Sequence, residues 1–354
     1  MKKKRFFIFM LIISGMFSQP IPFQAQKAKT EVLVYNDYLF PKSGIWPLPK
    51  NPVELKRLFY FDSAELKYPM KTASDPSGNI YVIDIDKKMV LKFDPSGKLL
   101  FRIGDKGTEK GNFRSPGSIS VNKNSLAVLD NFSNKKGTYF FDLEGSPLKK
   151  YDLYGFDDLV LTDDGSLYLA PRINDKSTPL IQVCSPDKKI MASFGAAINF
   201  DRDLGPLNSR RLAISPKGEI YVAFSYFPIV RRYSPKGELL TEFKIDNDIL
   251  KAKEKLNLKF IDDRRDDKRE YGYAYINATI AVRAFEDKIY ILSDYPRLEI
   301  VEIEETGSIA TTYWMDFDEI YRVRDFIVQR INGELRFYVD NYSPSSGIDV
   351  FVKK

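Results

Sequence analysis

Histidine is absent from this 354-residue chain, and cysteine occurs once, as Cys184. Without histidine, no Ser-His-Asp or Cys-His nucleophile system can form, and no zinc site can use imidazole ligands. One cysteine cannot supply a thiolate metal site, and Cys184 lies in the apolar segment Leu180–Cys184, so we expect it to be a buried core residue. Carboxylates, lysine, tyrosine and hydroxyl groups remain, but no familiar catalytic arrangement of them is evident. We therefore predict no catalytic residue and no metal-ligand set.

Long apolar runs are also scarce, and the main one lies near the start of the chain. Basic residues Lys2–Arg5 precede the apolar run Phe6–Phe17, and a Ser/Gln/Pro stretch follows. This order is typical of a secretory signal peptide, and we predict cleavage after Ala25. The run is shorter than the roughly 20 residues of a transmembrane helix, although an uncleaved anchor is the alternative. We expect an exported protein, periplasmic or extracellular, with no stable membrane span after signal removal.

Excess positive charge is confined to the same segment. The chain has 54 Lys and Arg against 48 Asp and Glu, a formal charge of +6. Residues 2–5 are all basic and no acidic residue precedes Glu31, so the remainder carries a charge of only about +2. A basic excess of this size is too small to indicate a nucleic-acid partner.

The rest of the chain repeats one pattern of short strands and turns. Its clearest copy has a turn at Asp75–Asn79, strands at Ile80–Asp84 and Val90–Phe93, a second turn at Asp94–Gly97, and a strand at Leu99–Ile103. Alternating apolar residues between such turns predict consecutive antiparallel hairpins. Five further copies contain the segments Asn124–Asp130, Asp163–Leu169, Ser215–Val222, Asp287–Asp294 and Asn332–Asp340.

The spacing of these copies, about 40–50 residues, is typical of propeller blades. The sixth copy runs out of chain after its third strand, whereas Val53–Phe61, before the first copy, alternates as a strand should. We therefore predict an all-β fold: a six-bladed β-propeller of four-stranded antiparallel blades, with the last blade closed by an N-terminal strand.

The blades resemble NHL-type repeats, most clearly between Pro69 and Pro116. The resemblance rests on Gly78-x-Ile80-Tyr81-Val82-x-Asp84, Phe93-Asp94-x-x-Gly97, Gly104-x-x-Gly107 and Gly111-x-Phe113-x-x-Pro116. It extends over roughly Val53–Lys354 and implies a six-bladed propeller. Because one fold hosts many functions, it implies no particular activity.

The chain is thus divided into a signal peptide (1–25), an extended arm (26–52) and a propeller (53–354). An insertion at 246–272 separates blades four and five. Its segment Ile249–Leu256 suits a short helix. The charged segment Asp262–Glu270 is either a solvated loop or a lid over the channel.

In propellers, the segment entering each blade and the loop between its second and third strands lie on one face, around the channel mouth. Arginines there could bind carboxylate or phosphate groups through paired hydrogen bonds; alternatively, they pair with Asp157, Asp158 and Asp325. The residues we select as a candidate ligand site are Arg114, Arg172, Arg210, Arg211, Tyr226, Asn277 and Arg324.

An aspartate recurs after the second strand of four blades, as Asp84, Asp130, Asp294 and Asp340. Repeated carboxylates could hold calcium. One aspartate at an equivalent position in each blade is instead expected of a residue that bonds backbone N–H groups. We therefore predict no cofactor and keep calcium only as the alternative.

Three functions remain open at this point. The first is a non-enzymatic binding or scaffold module for a protein, peptide or glycan at the channel face, acting as a monomer. The second is a calcium-dependent hydrolase or lactonase, which would need carboxylate and carboxamide ligands such as Asp325 and Asn277 in the channel. The third is RNA binding, against which the low charge and the export signal argue.

Overall fold

A computed structural model describes residues 32–35, 38–41, 46–61, 65–104, 113–131, 136–200, 204–263, 275–316, 322–343 and 346–354. The predicted signal peptide and most of the charged segment 262–270 lie outside these residues. The chain forms two compact units, Met1–Ile45 and Trp46–Lys354. In the first unit, β1 (Val32–Tyr35) pairs antiparallel with β2 (Tyr38–Pro41), so part of the predicted extended arm is a hairpin.

The second unit is built from six four-stranded antiparallel blades, which confirms the predicted fold. Blade six takes its fourth strand, β3 (Pro52–Phe61), from the N-terminal side. Blade one has β4 (Pro69–Ser74), β5 (Ile80–Asp84), β6 (Met89–Phe93) and β7 (Leu99–Ile103). Blade two has β8 (Pro116–Val121), β9 (Ser125–Asp130), β10 (Gly137–Asp142) and β11 (Pro147–Tyr151). Blade three has β12 (Phe156–Leu161), β13 (Leu167–Pro171), β14 (Ile181–Cys184) and β15 (Ile190–Phe194).

The remaining blades follow the same order. A short helix α1 (Leu204–Leu207) precedes blade four, which has β16 (Arg210–Ile214), β17 (Ile220–Phe224), β18 (Ile229–Tyr233) and β19 (Leu239–Lys244). The helix α2 (Asp248–Asp263) comes next. Blade five has β20 (Ala281–Phe285), β21 (Lys288–Ser293), β22 (Leu298–Ile303) and β23 (Ile309–Met315). Blade six has β24 (Arg322–Ile331), β25 (Glu334–Ser343) and β26 (Gly347–Lys353).

The predicted closure by an N-terminal strand is confirmed. The closing strand β3 runs antiparallel to β26, with Phe61 opposite Ile348 and Leu55 opposite Lys353. It also does something that the repeats do not predict: its residues 52–54 pair in parallel with β23 of blade five. One strand therefore joins two neighbouring blades in an eight-stranded sheet.

The core lies within and between the blades. Every residue of β5 and β17 is buried, because each second strand has sheet partners on both sides and neighbouring blades on both faces. Cys184 is fully buried among Ala127, Leu129 and Leu159 of blades two and three, as predicted.

The helix predicted over Ile249–Leu256 is present and extends from Asp248 to Asp263. Asn247 caps it, since its side-chain oxygen accepts a hydrogen bond from the N–H of Leu250 at 3.0 Å. Among the described helices, none is long and apolar enough to cross a membrane.

Candidate functional site

The first strands of the six blades surround a central cavity of about 250 Å³. Four charged side chains line it: Lys71 of β4, Asp158 of β12, Arg283 of β20 and Asp325 of β24. Its polar lining also includes the hydroxyl-bearing residues Thr72, Ser74, Ser118 and Ser120. The channel wall is therefore mixed in charge and rich in hydroxyl groups.

Asp325 is fully buried and is held by several donors. Arg283 Nη2 lies 2.5 Å from Oδ1, which also accepts the N–H of Phe326. The N–H of Thr72 donates to Oδ2 at 3.1 Å. Arg283 also donates to the Thr72 carbonyl at 3.0 Å. These bonds connect blades one, five and six across the channel.

Asp158 is the second buried carboxylate of the wall. Ser118 Oγ donates to its Oδ1 at 2.7 Å, and the N–H of Leu212 donates to Oδ2 at 3.0 Å. Burial alone would raise the pKa of Asp158, but the nearby cations Lys71 and Arg211, together with these hydrogen bonds, lower it. The carboxylate is therefore ionised at neutral pH.

Lys71 faces both carboxylates but forms no close pair with either. Its Nζ lies 3.7 Å from Asp325 Oδ2, which is longer than a hydrogen bond. Burial is the main reason that the pKa of Lys71 is lowered, and Arg211 and Arg283 lower it further, against the opposing effect of Asp325 and Asp158. The ammonium is a buried cation within ion-pair distance of Asp325, but it shares that carboxylate with Arg283.

At the channel mouth, Arg324 contacts two neighbouring tyrosine rings. Its guanidinium carbon is 5.0 Å from the centre of the Tyr68 ring and 4.5 Å from that of Tyr342. Its Nη2 donates to Tyr68 Oη at 2.5 Å, and its Nε has no hydrogen-bond partner among the described residues. The two rings are 5.3 Å apart. Cation–π contacts thus fix a cation and two aromatic rings together at the mouth.

A second cluster lies at blades three and four. Arg172 pairs with Asp157 at 3.4 Å. Arg211 donates to the carbonyls of Asp157 and Ile280. The ring of Tyr226 lies 5.4 Å from that of Tyr275, and burial raises the pKa of Tyr226. Arg172, Arg211 and Tyr226 therefore share one region, linked through Asp157.

Arg210, predicted as a ligand residue, is not at the mouth but in the interior. It is fully buried, and its guanidinium donates to the carbonyls of Leu180, Asn208 and Pro171 at 2.6–3.1 Å. Burial lowers its pKa to about 10. The reason is strand alternation, which turns Arg210 and Arg211 to opposite sides of β16. Arg210 therefore donates to backbone carbonyls and is not part of the candidate site.

The two remaining predicted residues lie apart from these clusters. Arg114 is exposed, and its backbone N–H donates to Asp130 Oδ2 at 2.6 Å. Asn277 is partly buried in the segment that leads into blade five. Neither is brought into contact with Arg324 or Arg211 by a described hydrogen bond.

The recurring aspartates bond backbone N–H groups in three blades. Asp84 accepts from the N–H groups of Lys67 and Tyr68, Asp130 from those of Arg114 and Ser115, and Asp340 from those of Arg324 and Asp325. Burial and the neighbouring Asp325 raise the pKa of Asp340 to about 7. Asp294 differs, since it lies 3.6 Å from the buried Lys253 of α2.

Within the described ranges, no group of three or more Asp, Glu or Cys side chains could hold a metal ion. Lys71 and Arg283, which line the cavity, were not among the predicted residues. The sequence does contain a signal for them: each is the only charged residue of a first strand, in Pro69–Ser74 and Ala281–Phe285.

Many solved structures are similar to this chain, among them three propellers that match over nearly their whole length. A protein of Bacteroides fragilis NCTC 9343 described as exported is 13% identical, with a TM-score of 0.55 over 86% of this chain and 99% of that one. Regucalcin of Agrobacterium tumefaciens str. C58, a calcium-binding protein, is 12% identical, with a TM-score of 0.52 over 85% and 95%. The PQQ-bound aldose sugar dehydrogenase of Streptomyces coelicolor is 12% identical, with a TM-score of 0.51 over 85% and 98%. At these identities the likeness concerns the fold alone.

No curated protein matches the sequence. A family model described as a 6-bladed β-propeller matches residues 62–295, which is well over half of the chain. That span covers blades one to four and the first two strands of blade five. The chain belongs to the DUF5128 family of 6-bladed β-propellers.

Proposed function

We propose that this protein is an exported, non-enzymatic binding propeller whose channel mouth recognises a protein, peptide or glycan ligand. The observation that carries the proposal is the contact of Arg324 with both rings of the pair Tyr68 and Tyr342. Two rings and a guanidinium offer flat apolar area and hydrogen-bond donors side by side, as binding surfaces commonly do.

The side chain of Arg324 is held in a fixed position at this surface. Its backbone N–H donates to Asp340 and its side chain donates to Tyr68, so little side-chain freedom is left to lose on binding. Arg172, Arg211 and Tyr226 extend the polar surface at blades three and four. The ligand class that suits both regions is an extended chain carrying acidic or hydroxyl groups.

Export is supported by the basic and apolar start of the chain and by the likeness to a protein described as exported. The calcium-dependent hydrolase stays the alternative, since propellers of this fold include a calcium-binding protein. No feature of the described channel favours it over binding.

Binding is tested with glycan and peptide arrays, followed by titration of each hit with the purified protein. Arg324→Ala should weaken binding about tenfold or more, because it removes the cation that contacts both rings. Arg330→Ala is the matched control, since Arg330 lies near the other end of β24 and pairs there with Glu286 at 2.8 Å. Equal affinity in the two variants would reject the mouth as the binding site.

The hydrolase alternative is tested on the same protein by melting it with calcium or with EDTA. A calcium-dependent enzyme should melt at a higher temperature when calcium is present, because a bound ion stabilises the folded state by mass action. Unchanged melting and the absence of metal in an elemental measurement would remove the alternative.

A further inference from the structure

The central cavity has more cationic than anionic side chains around it. Lys71 and Arg283 line it, and Arg211 lies close enough to lower the pKa of Lys71. The wall contributes two carboxylates, Asp158 and Asp325, against these three cations, and Asp340 behind Asp325 is mostly protonated below pH 7 because its pKa is about 7. A buried excess of one charge is costly unless a counter-charge is supplied.

Protein groups already donate hydrogen bonds to both carboxylates of the wall. Asp325 accepts hydrogen bonds at both oxygens from Arg283, Phe326 and Thr72, and Asp158 accepts at both oxygens from Ser118 and Leu212. Lys71 is held 3.7 Å from the nearer oxygen of Asp325. Its ammonium hydrogens are therefore not used by that carboxylate and remain suited to an incoming anion.

The hydroxyl groups of the wall are also suited to a ligand. The Thr72 hydroxyl is buried and has no hydrogen-bond partner among the described residues. Ser120 Oγ accepts from the N–H of Leu161 at 2.9 Å, which leaves its own hydrogen to donate. Ser74 lines the same cavity. Because the oxygen of the Thr72 hydroxyl has less than 1 Å² of accessible surface, the hydroxyl groups of the wall that a ligand can reach are those of Ser74 and Ser120.

The size of the cavity limits the ligand. Pockets that hold small molecules usually start at about 300 Å³, and this one is about 250 Å³. A single small ring fits that space, whereas a folded peptide segment or a bulky cofactor does not.

We propose that this cavity binds an acidic sugar, with Lys71 and Arg283 contacting its carboxylate and the hydroxyls of Ser74 and Ser120 contacting its ring. The inference rests on the proposed function, because it makes the ligand a glycan and places a uronic acid residue of it in the channel below the mouth. No bond is made or broken in this step.

The test is calorimetric titration of the full protein at pH 6 with D-glucuronate and D-galacturonate. D-glucose, D-galactose and acetate serve as probes that carry only the ring or only the charge. At least one uronate should bind about tenfold more tightly than its neutral sugar and than acetate, since only the uronate satisfies both cation and hydroxyls. Equal binding of uronate and neutral sugar, or no binding of either uronate, would overturn the inference.

Variants locate the site. Lys71→Met should lose the preference for the uronate, while Arg283 still neutralises Asp325 and the fold is kept. Lys92→Met is the matched control, because Lys92 is equally buried but pairs with Asp75 at 3.4 Å outside the cavity. Loss of uronate binding in Lys92→Met alone would contradict the assignment, and both variants are first checked for unchanged melting.

A pH series on the unaltered protein gives an independent reading if Lys71→Met fails to fold. The groups that act on Lys71 are Arg211, Arg283, Asp158 and Asp325, with Asp340 behind Asp325. Uronate affinity should fall as the pH rises above 7, because Asp340, whose pKa is about 7, then ionises. Loss of the proton of Lys71, whose pKa is lowered by burial, weakens binding in the same direction at higher pH. An affinity that is constant or rises with pH would contradict the role of Lys71.

Failure of this inference and failure of the proposed function look different. If array ligands bind and depend on Arg324 while no uronate enters the cavity, the binding function stands and the acidic-sugar site is wrong. If uronate binds through Lys71 but no array ligand depends on Arg324, the mouth proposal is wrong and the cavity site stands.

Discussion

Arg210 and Arg211 are neighbours in sequence with opposite roles. Arg210 is fully buried and donates four hydrogen bonds to three backbone carbonyls. Arg211 is partly exposed and electrostatically coupled to Lys71 and Asp158. Buried arginine is tolerated here because each of the three side-chain nitrogen atoms has an acceptor, which offsets the loss of water. Pro171 and Leu180 lie at the two ends of the loop between the second and third strands of blade three, and Asn208 lies in the segment that leads into blade four, so one side chain connects both segments.

Replacing Arg210 by alanine should therefore destabilise the protein by about 3–5 kcal/mol, since three buried carbonyls lose their donors. Urea denaturation of both proteins measures this loss. Arg172→Ala is the control: Arg172 lies nearby, is exposed and pairs with Asp157 at the surface, and its loss should cost under about 1 kcal/mol. A similar small effect for Arg210→Ala would show that the carbonyls find other donors.

Sequence alone predicts that arginines gather at the start of β16 but not which one reaches solvent. Alternation places Arg210 and Arg211 on opposite sides, yet either side could be the inner one until the neighbouring loops are placed. The acceptors of Arg210 lie 2, 30 and 39 residues away in sequence. Such long-range acceptors carry no local signal.

At the scale of an element, the helix α2 shows how the insertion is joined to the propeller. Two polar side chains of α2, Lys253 and Asn257, are buried, as is its capping residue Asn247. Lys253 donates to Ser293 Oγ at 2.8 Å, Asn247 donates to Glu299 at 2.7 Å, and Asn257 bonds Tyr226 and Ile276. In blade five, Asp294 faces this helix, which explains why it departs from the pattern of the other three recurring aspartates.

Asn257 is the residue of α2 that reaches the mouth. Its amide nitrogen donates to the carbonyls of Tyr226 and Ile276, and its oxygen accepts the N–H of Ile276, all at 2.8 Å. Asn257→Ala should cost about 2–3 kcal/mol, because three buried backbone groups lose their partner. It should also speed amide hydrogen exchange in α2 and around Tyr226.

Hydrogen exchange followed by mass spectrometry measures this effect peptide by peptide. Lys255→Ala is the control, since Lys255 is exposed on the same helix and alanine favours helix slightly more than lysine. If Asn257→Ala leaves exchange in α2 unchanged, the helix is held by its apolar contacts alone, through residues such as Ile249 and Leu250.

For the whole molecule, the repeats contain most of the information that determines the fold. Each turn glycine with positive φ, such as Gly97, follows an apolar strand and precedes the next one, so hairpins can be counted from the sequence. Closure by β3 is predictable because one blade lacks a strand and an unassigned strand exists. The parallel pairing of residues 52–54 with β23 is not predictable, because alternation does not reveal which two edges a strand will join.

The closing strand packs closely against blades one and six. Phe61 is buried against Phe93 and Tyr338, with ring centres 5.9 and 6.0 Å apart. A Cβ on Gly97 would lie 2.6 Å from the Phe61 ring, so the second turn of blade one approaches the closing strand as closely as only glycine allows. Blades one, five and six all depend on β3.

A chain that begins at Asp62 should therefore fail to form the closed ring, whereas a chain that begins at Trp46 should fold. Deletion of β3 exposes the edges of β26 and β23 and removes Leu55 and Phe61 from the core; one buried large side chain contributes about 3–5 kcal/mol, and a whole domain is stable by about 5–15 kcal/mol. Circular dichroism melting and size-exclusion chromatography distinguish a cooperative monomer from an aggregating chain.

A synthetic peptide of residues 51–61 should restore cooperative melting to the shorter chain by adding the missing strand. Identical melting of the two chains without peptide would show that the ring closes without β3.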